Sequence, residues 1–93
     1  MENNEKYMTD EQFNAVKSTR YVFTVYANRR DADLDKNAHN VLCWCNNDLT
    51  RHQGHLILEG IAAGATTKYK HPCAVIYAVT GFEEPRRLSL CCA

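Results

Sequence analysis

The clearest apolar pattern along the chain is the uninterrupted run Tyr21–Tyr26, which is made of aromatic and β-branched residues plus one threonine. Such residues favour extended backbone, so the run predicts a strand. Alternate side chains of a strand point to opposite faces, which places Phe23 on one face and Thr24 on the other. Because apolar residues occur on both faces, we expect both sides of the sheet to be at least partly covered.

A second pattern predicts one long amphipathic helix over residues 37–53. Leu42, Cys45 and Leu49 recur at steps of three and four residues, which is the spacing of one helix face. Gly54 would follow the last turn, because glycine readily adopts the left-handed conformation that ends a helix. We expect the three apolar side chains to lie flat on the sheet.

The rest of the chain predicts shorter elements. The run His55–Ile61 is apolar and branched and is interpreted as a strand, which leaves residues 62–69 as a weak helix or a loop. Cys73–Val79 predicts a strand that begins after Pro72, and Arg86–Cys91 predicts an edge strand that pairs back.

A short helix is expected near the N-terminus. Thr9 and Gln12 have the spacing of a capping box, and residues 1–8 are polar, so we expect them to be flexible. Residues 9–93 would then form a single α+β domain, since 93 residues suffice for one hydrophobic core but not for two. Its small antiparallel-rich sheet would carry the long helix on one face.

Charge and composition narrow the classes of function. The chain has 11 basic and 11 acidic residues, so it lacks the general electrostatic attraction that supports nucleic-acid binding. No apolar run approaches the roughly 18 residues that span a bilayer, and the polar N-terminus is unlike a signal sequence. We therefore expect no nucleic-acid or membrane partner and a cytoplasmic location. A near-neutral charge also leaves a homo-oligomer open.

The cysteines and histidines raise the question of a metal site. Five cysteines are an odd number, which favours thiols in a reducing compartment over a disulfide framework. In a helix the side chains of Cys43 and Cys45 would point about 200° apart, so both could not ligate one ion. A nucleophilic Cys73 assisted by His71 is geometrically possible in a strand, but thiols there are usually packing. The sequence predicts no metal site and no cofactor.

Charged residues supply the candidate binding positions. Arg29 and Asp31 lie where the first strand gives way to a polar segment, and such residues can grip an anion or a cation. They are also the residue types that an ordinary solvated turn requires. Glu59 stands among apolar residues, where burial would raise its pKa and suit it to act as a general base. On an edge strand Glu59 would simply face water.

One ordered set of positions lies within residues 21–60: Phe23, Val25, Ala27, Arg29, Asn37, Leu42, Leu49, Gly54 and Glu59. This order resembles that of small ferredoxin-like proteins that include the phage S-adenosylmethionine lyases. The resemblance implies a ferredoxin-like or truncated ferredoxin-like fold. It also implies a ligand held between the first strand, the loop that follows it and the glutamate-bearing strand. The present chain is shorter than those enzymes.

Two functional hypotheses follow. The first is a small phage or mobile-element accessory protein that binds and modulates a host protein or defence system without catalysis. The second is a protein that binds or cleaves a small adenosine-type ligand such as S-adenosylmethionine, with Arg29, Asp31 and Glu59 around the site. The absence of the common hydrolase and nucleotide-binding motifs favours the first hypothesis.

Overall fold

A computed structural model describes residues 20–45, 48–79 and 84–93. Two helices, four strands and one short 3₁₀ turn make up this part of the chain. In chain order they are β1 (Arg20–Tyr26), α1 (Arg29–Leu34), β2 (His39–Trp44), α2 (Arg51–Gly64), the 3₁₀ turn (Ala65–Thr67), β3 (Cys73–Val79) and β4 (Arg86–Cys92).

The four strands form one antiparallel sheet in the order β2-β1-β3-β4. The two most apolar strands, β1 and β3, are therefore central, and β2 and β4 are the edges. This confirms a small α+β fold with an antiparallel sheet and one long helix. The strands predicted from Tyr21–Tyr26, Cys73–Val79 and Arg86–Cys91 are also confirmed.

The sheet has an apolar cluster on each face. On one side, the helix face, Phe23 and Ile76 pack with Leu58 of α2. On the other side, the opposite face, Tyr26 and Val75 pack with the small Ala32 of α1. Both faces are thus partly covered, as the alternation in β1 predicted. Helix α1 has only six residues, so it covers less of its face than the 14-residue α2 does.

The predicted position of the long helix is wrong. Residues 39–44 form the edge strand β2, in which Leu42 lies opposite Phe23. Leu42 is 39% exposed and Cys45 is exposed, and only Leu49 is buried, at 4%. The spacing of these three residues fits one face of a helix, but backbone pairing with the central strand β1 prevails over so short a pattern.

The strand predicted over His55–Ile61 is also wrong, because this run lies within α2. Thr50 starts the helix with a capping box: its hydroxyl accepts from the Gln53 backbone N–H at 3.1 Å, and the Gln53 side chain accepts from the Thr50 N–H at 3.0 Å. Gly54 consequently lies in the first turn of a helix instead of ending one. The ambiguous residues 62–69 contain the end of α2 and the 3₁₀ turn.

The ferredoxin-like arrangement is not confirmed. The described elements follow the order β-α-β-α-β-β, whereas ferredoxin-like folds follow β-α-β-β-α-β. The helix predicted after Thr9 and the flexible segment 1–8 lie outside the described residues.

Two of the five cysteines form a disulfide. Cys73 of β3 and Cys92 of β4 lie opposite each other and are bonded, at a sequence separation of 19. Cys43, Cys45 and Cys91 are reduced. The expectation of thiols throughout is therefore wrong for one pair. Disulfides are typical of oxidising compartments, so this bond does not support the predicted cytoplasmic location. That location stays a prediction.

Neither helix in the described ranges has the combination of length and apolar composition that crossing a bilayer requires.

The assignment of residues 55–61 to a helix can be tested with two leucines that are two positions apart. In a strand Leu56 and Leu58 would share a face, but in α2 Leu58 is fully buried and Leu56 is 53% exposed. We expect Leu58→Ala to lower the free energy of unfolding by about 2–5 kcal/mol, and Leu56→Ala by less than about 0.5 kcal/mol. Urea denaturation measures both, and equal losses would contradict the helix.

Candidate functional site

A concave surface on the helix face lies between β2 and the C-terminal half of α2. We call this the β2–α2 groove. Its volume is about 470 Å³. Residues from four segments line it: Val25 of β1, His39 and Val41 of β2, Gly60, Ile61 and Gly64 of α2, and Ala65, Thr67, Lys68 and Tyr69 beyond α2.

Two glycines form the helical side of the groove. Gly60 and Gly64 are four residues apart and so share one face of α2. A methyl group built at either position would meet nothing within 4 Å. Glycine inside a helix costs about 1 kcal/mol relative to alanine. No described residue would clash with a side chain at either position. Close packing within the described part of the chain therefore does not explain why these positions are glycine.

The strand side of the groove is an unusually exposed edge. Five of the six residues of β2 are exposed, including the apolar Val41 at 52%. The other edge, β4, begins with Arg86 and Arg87 and buries Leu88 and Leu90. An edge strand carries backbone N–H and C=O groups that can pair with another chain. Strand β2 combines those groups with apolar side chains.

The groove has a cationic end. Lys68 lies there with its ammonium 5.4 Å from the centroid of the Tyr69 ring, a cation–π contact. His39 lines the groove as well, and no acidic side chain is among its described lining residues. An occupant with an acidic group near Lys68 and apolar groups near Val41 and Ile61 would therefore be complementary to it.

A smaller cleft of about 260 Å³ lies on the opposite face. Arg20 and Val22 line one part of it, and the Thr24 hydroxyl donates a hydrogen bond to the Asn40 side-chain oxygen at 2.9 Å. Because this bond joins β1 to β2, the floor of the cleft is tied together across the two strands.

A hydrogen-bonded network closes one end of this cleft. The Tyr26 hydroxyl donates to Asp35 at 2.6 Å and lies 2.7 Å from the Tyr77 hydroxyl. Arg87 donates to the Ala32 carbonyl at 2.6 Å. Asp35 caps α1 in the left-handed conformation, with φ at 52°. The network therefore holds α1 and its last turn against the sheet.

The network also changes the protonation of Tyr26. Burial raises the pKa of Tyr26 far above its ordinary value, and the hydrogen bonds to Asp35 and Tyr77 raise it further. The phenol consequently stays protonated in the folded protein where an exposed tyrosine would ionise.

The structure separates the three charged residues that the sequence singled out. Arg29 and Asp31 belong to α1 on the opposite face: Arg29 pairs with Asp33 at 3.1 Å, and the Asp31 N–H donates to the Asn28 cap at 2.8 Å. Glu59 lies on α2, is 52% exposed and pairs with His55 at 3.2 Å. Because the sheet stands between α1 and α2, these residues do not gather around one ligand.

Sequence reasoning missed the groove residues. The sequence patterns place Gly60 in a strand, Gly64 in an ambiguous segment and Val41 in a helix. One local signal was available, namely the capping-box spacing of Thr50 and Gln53, which places a helix start immediately before the apolar run.

Within residues 20–45, 48–79 and 84–93, no three His, Cys, Asp or Glu side chains are positioned to hold a metal ion together.

Comparison with known proteins found no matching family model, no matching curated protein and no matching solved structure.

The Tyr26 network predicts a pH-dependent contribution to stability. At pH 7 Tyr26→Phe should lower the free energy of unfolding by about 1–3 kcal/mol, because Asp35 and Tyr77 lose their hydrogen bonds to the buried Tyr26 hydroxyl. Tyr26 has a raised folded-state pKa, so its contribution is complete below pH 10.0, the ordinary value, and is lost as the pH rises above it. Urea denaturation from pH 7 upward should show the difference between wild type and Tyr26→Phe shrinking above that value. Tyr69→Phe, outside the network, is the matched control, and a constant difference for Tyr26→Phe would refute the assignment.

The empty space at Gly60 predicts a stabilising substitution. Gly60→Ala should raise the free energy of unfolding by about 0.5–1 kcal/mol, because alanine favours the helix and its methyl group meets nothing. The reverse exchange at the exposed neighbour, Ala63→Gly, should lower it. Thermal denaturation measures both, and a loss of stability in Gly60→Ala would mean that another group already occupies the position.

Proposed function

We propose that this protein is a binding module that takes up an extended segment of a partner protein. The segment adds a fifth strand alongside β2 and places its side chains in the β2–α2 groove. The observation that carries the proposal is the groove itself, where an exposed edge strand faces two helix glycines with open space above them.

Backbone pairing supplies the general part of the affinity. An added strand pairs its N–H and C=O groups with those of the exposed edge, as in other cases of strand addition to a sheet. The same pairing would be harder at β4, whose first residues are the charged Arg86 and Arg87. The two edges are therefore not equivalent, and β2 is the better acceptor.

Side chains of the segment supply the specific part. Alternate residues of an added strand point to the same face, so every second side chain enters the groove. Val41 and Ile61 offer an apolar contact, which stabilises the complex by roughly 25 cal/mol for each Å² of apolar surface buried. Lys68 offers a partner for an acidic residue or a C-terminal carboxylate. The preferred segment is thus extended, apolar at alternate positions and acidic at one end.

The glycines make close approach possible. With side chains at positions 60 and 64, α2 would project into the space that the segment needs. The intrinsic cost of two helix glycines is then offset by binding, since Gly60 and Gly64 serve the complex and not the isolated fold.

The biological role that we propose is that of a small phage or mobile-element accessory protein. It would modulate a host protein or defence system by occupying a segment of that protein, without catalysis. The groove, which offers an extended segment both backbone groups and apolar contacts, supports binding without catalysis. The phage or mobile-element setting comes from the sequence resemblance of residues 21–60 alone.

The test uses a displayed library of short random peptides as the probe. Peptides selected on the wild-type protein should be extended, apolar at alternate positions and acidic at one end. Gly60→Leu should weaken their binding at least about tenfold, or 1.4 kcal/mol, because the leucine side chain fills the groove. Fluorescence anisotropy of labelled peptides measures the affinities.

Ala63→Leu is the matched control, since it adds the same bulk to an exposed residue of α2 that does not line the groove. Its affinity should stay within about twofold of wild type. Amide hydrogen exchange of the complex should show slowed exchange in β2 and unchanged exchange in β4. Peptides that bind Gly60→Leu as tightly as wild type, or that protect β4 instead, would refute the proposal, as would selection that yields no peptide.

A further inference from the structure

Two exposed thiols lie side by side at the end of β2. Cys43 belongs to the strand and Cys45 follows it directly. Residues two apart along extended backbone share a face, and the two sulfur atoms are 3.7 Å apart. The helical geometry that would separate these side chains does not apply, because this stretch is not a helix.

The other cysteines are placed elsewhere. Cys73 and Cys92 already form a disulfide between β3 and β4, and Cys91 lies on β4, with β1 and β3 between it and β2. Cys43 and Cys45 are therefore each other's nearest reduced cysteine in the described part of the chain. A disulfide has a sulfur–sulfur bond of about 2.05 Å, so closing the ring requires the two side chains to approach by less than 2 Å.

We propose that Cys43 and Cys45 form a dithiol–disulfide pair that exchanges with low-molecular-weight disulfides of the glutathione type. The Cys43 side chain lies on the face away from α2 and so outside the groove, because the β1–β2 register places Cys43 opposite Val22.

The exchange proceeds in two balanced steps. The Cys45 thiolate attacks one sulfur of oxidised glutathione, forming a mixed disulfide and releasing one glutathione thiolate, which takes up the proton that Cys45 gave up. The Cys43 sulfur then attacks the Cys45 sulfur, closing the ring and releasing the second glutathione with the proton of Cys43. Two protein thiols are oxidised and one glutathione disulfide is reduced.

The order of attack follows from the surroundings of Cys43. The hydrogen bond with Cys45 is the main cause that raises the pKa of Cys43, and the nearby Arg20 opposes it only in part. The raised pKa disfavours the Cys43 thiolate, and Cys45 lies beyond the end of the strand, so we assign the first attack to Cys45. Cys43 is then the residue that resolves the mixed disulfide.

The experiment treats the folded protein with oxidised glutathione at pH 8 and maps the peptides by mass spectrometry. In wild type the peptide that contains Cys43 and Cys45 should lose two hydrogens and retain no glutathione. Cys43→Ser should accumulate one stable glutathione adduct on Cys45. Cys45→Ser should react at Cys43 more slowly than Cys43→Ser reacts at Cys45, because Cys43 lies within strand β2 and Cys45 lies beyond its end.

Cys91→Ser is the matched control and should oxidise as wild type does. Cys43 and Cys45 are exposed and Cys91 is partly buried, so circular dichroism verifies that each serine variant keeps the fold. A stable glutathione adduct in the wild-type protein, or no reaction at this peptide, would overturn the proposal. Faster modification of Cys43 in Cys45→Ser than of Cys45 in Cys43→Ser would overturn the assigned order.

Discussion

Pairing between the two central strands is the interaction on which the rest of the structure depends. β1 and β3 run antiparallel over seven residue pairs, from Arg20 opposite Val79 to Tyr26 opposite Cys73. Most of their side chains are buried on both faces. Because two faces must be covered, α2 packs on one side and the short α1, held by Arg87 and Tyr26, on the other. The exposed strand residues therefore lie mainly in the edge strands, and β2 has more of them than β4.

Sequence patterns predicted the central strands because these runs are continuously apolar, as strands covered on both faces must be. They failed at β2 for the opposite reason. A strand that is exposed at nearly every position has no buried face, so His39–Trp44 carries no alternation to recognise. Leu42 and Leu49 then suggested a helix by coincidence of spacing. This error caused a second one. Because the predicted helix ends at Gly54, the next apolar run, His55–Ile61, is then interpreted as a strand.

Local sequence patterns could not predict the candidate groove. Its two walls, β2 and α2, meet through β1 and the packing of Leu58, which is a long-range consequence of the fold. Arg29, Asp31 and Glu59 were recognisable as charged residues in unusual neighbourhoods, but nothing in their spacing indicates that a sheet lies between them. The sequence itself shows that positions 60 and 64 are glycine. Their meaning depends on knowing that they are helical and that the space beside them is open.

The disulfide between Cys73 and Cys92 has a consequence for assembly. β4 is the last of the described strands and lies at an edge, so it could leave its own sheet and insert into that of a second copy. The covalent link to β3, with the Ala93 N–H donating to the Pro72 carbonyl at 2.9 Å, keeps β4 with its own chain. While the bond is closed, β4 therefore cannot exchange with the same strand of a second copy, and domain swapping through this strand is excluded.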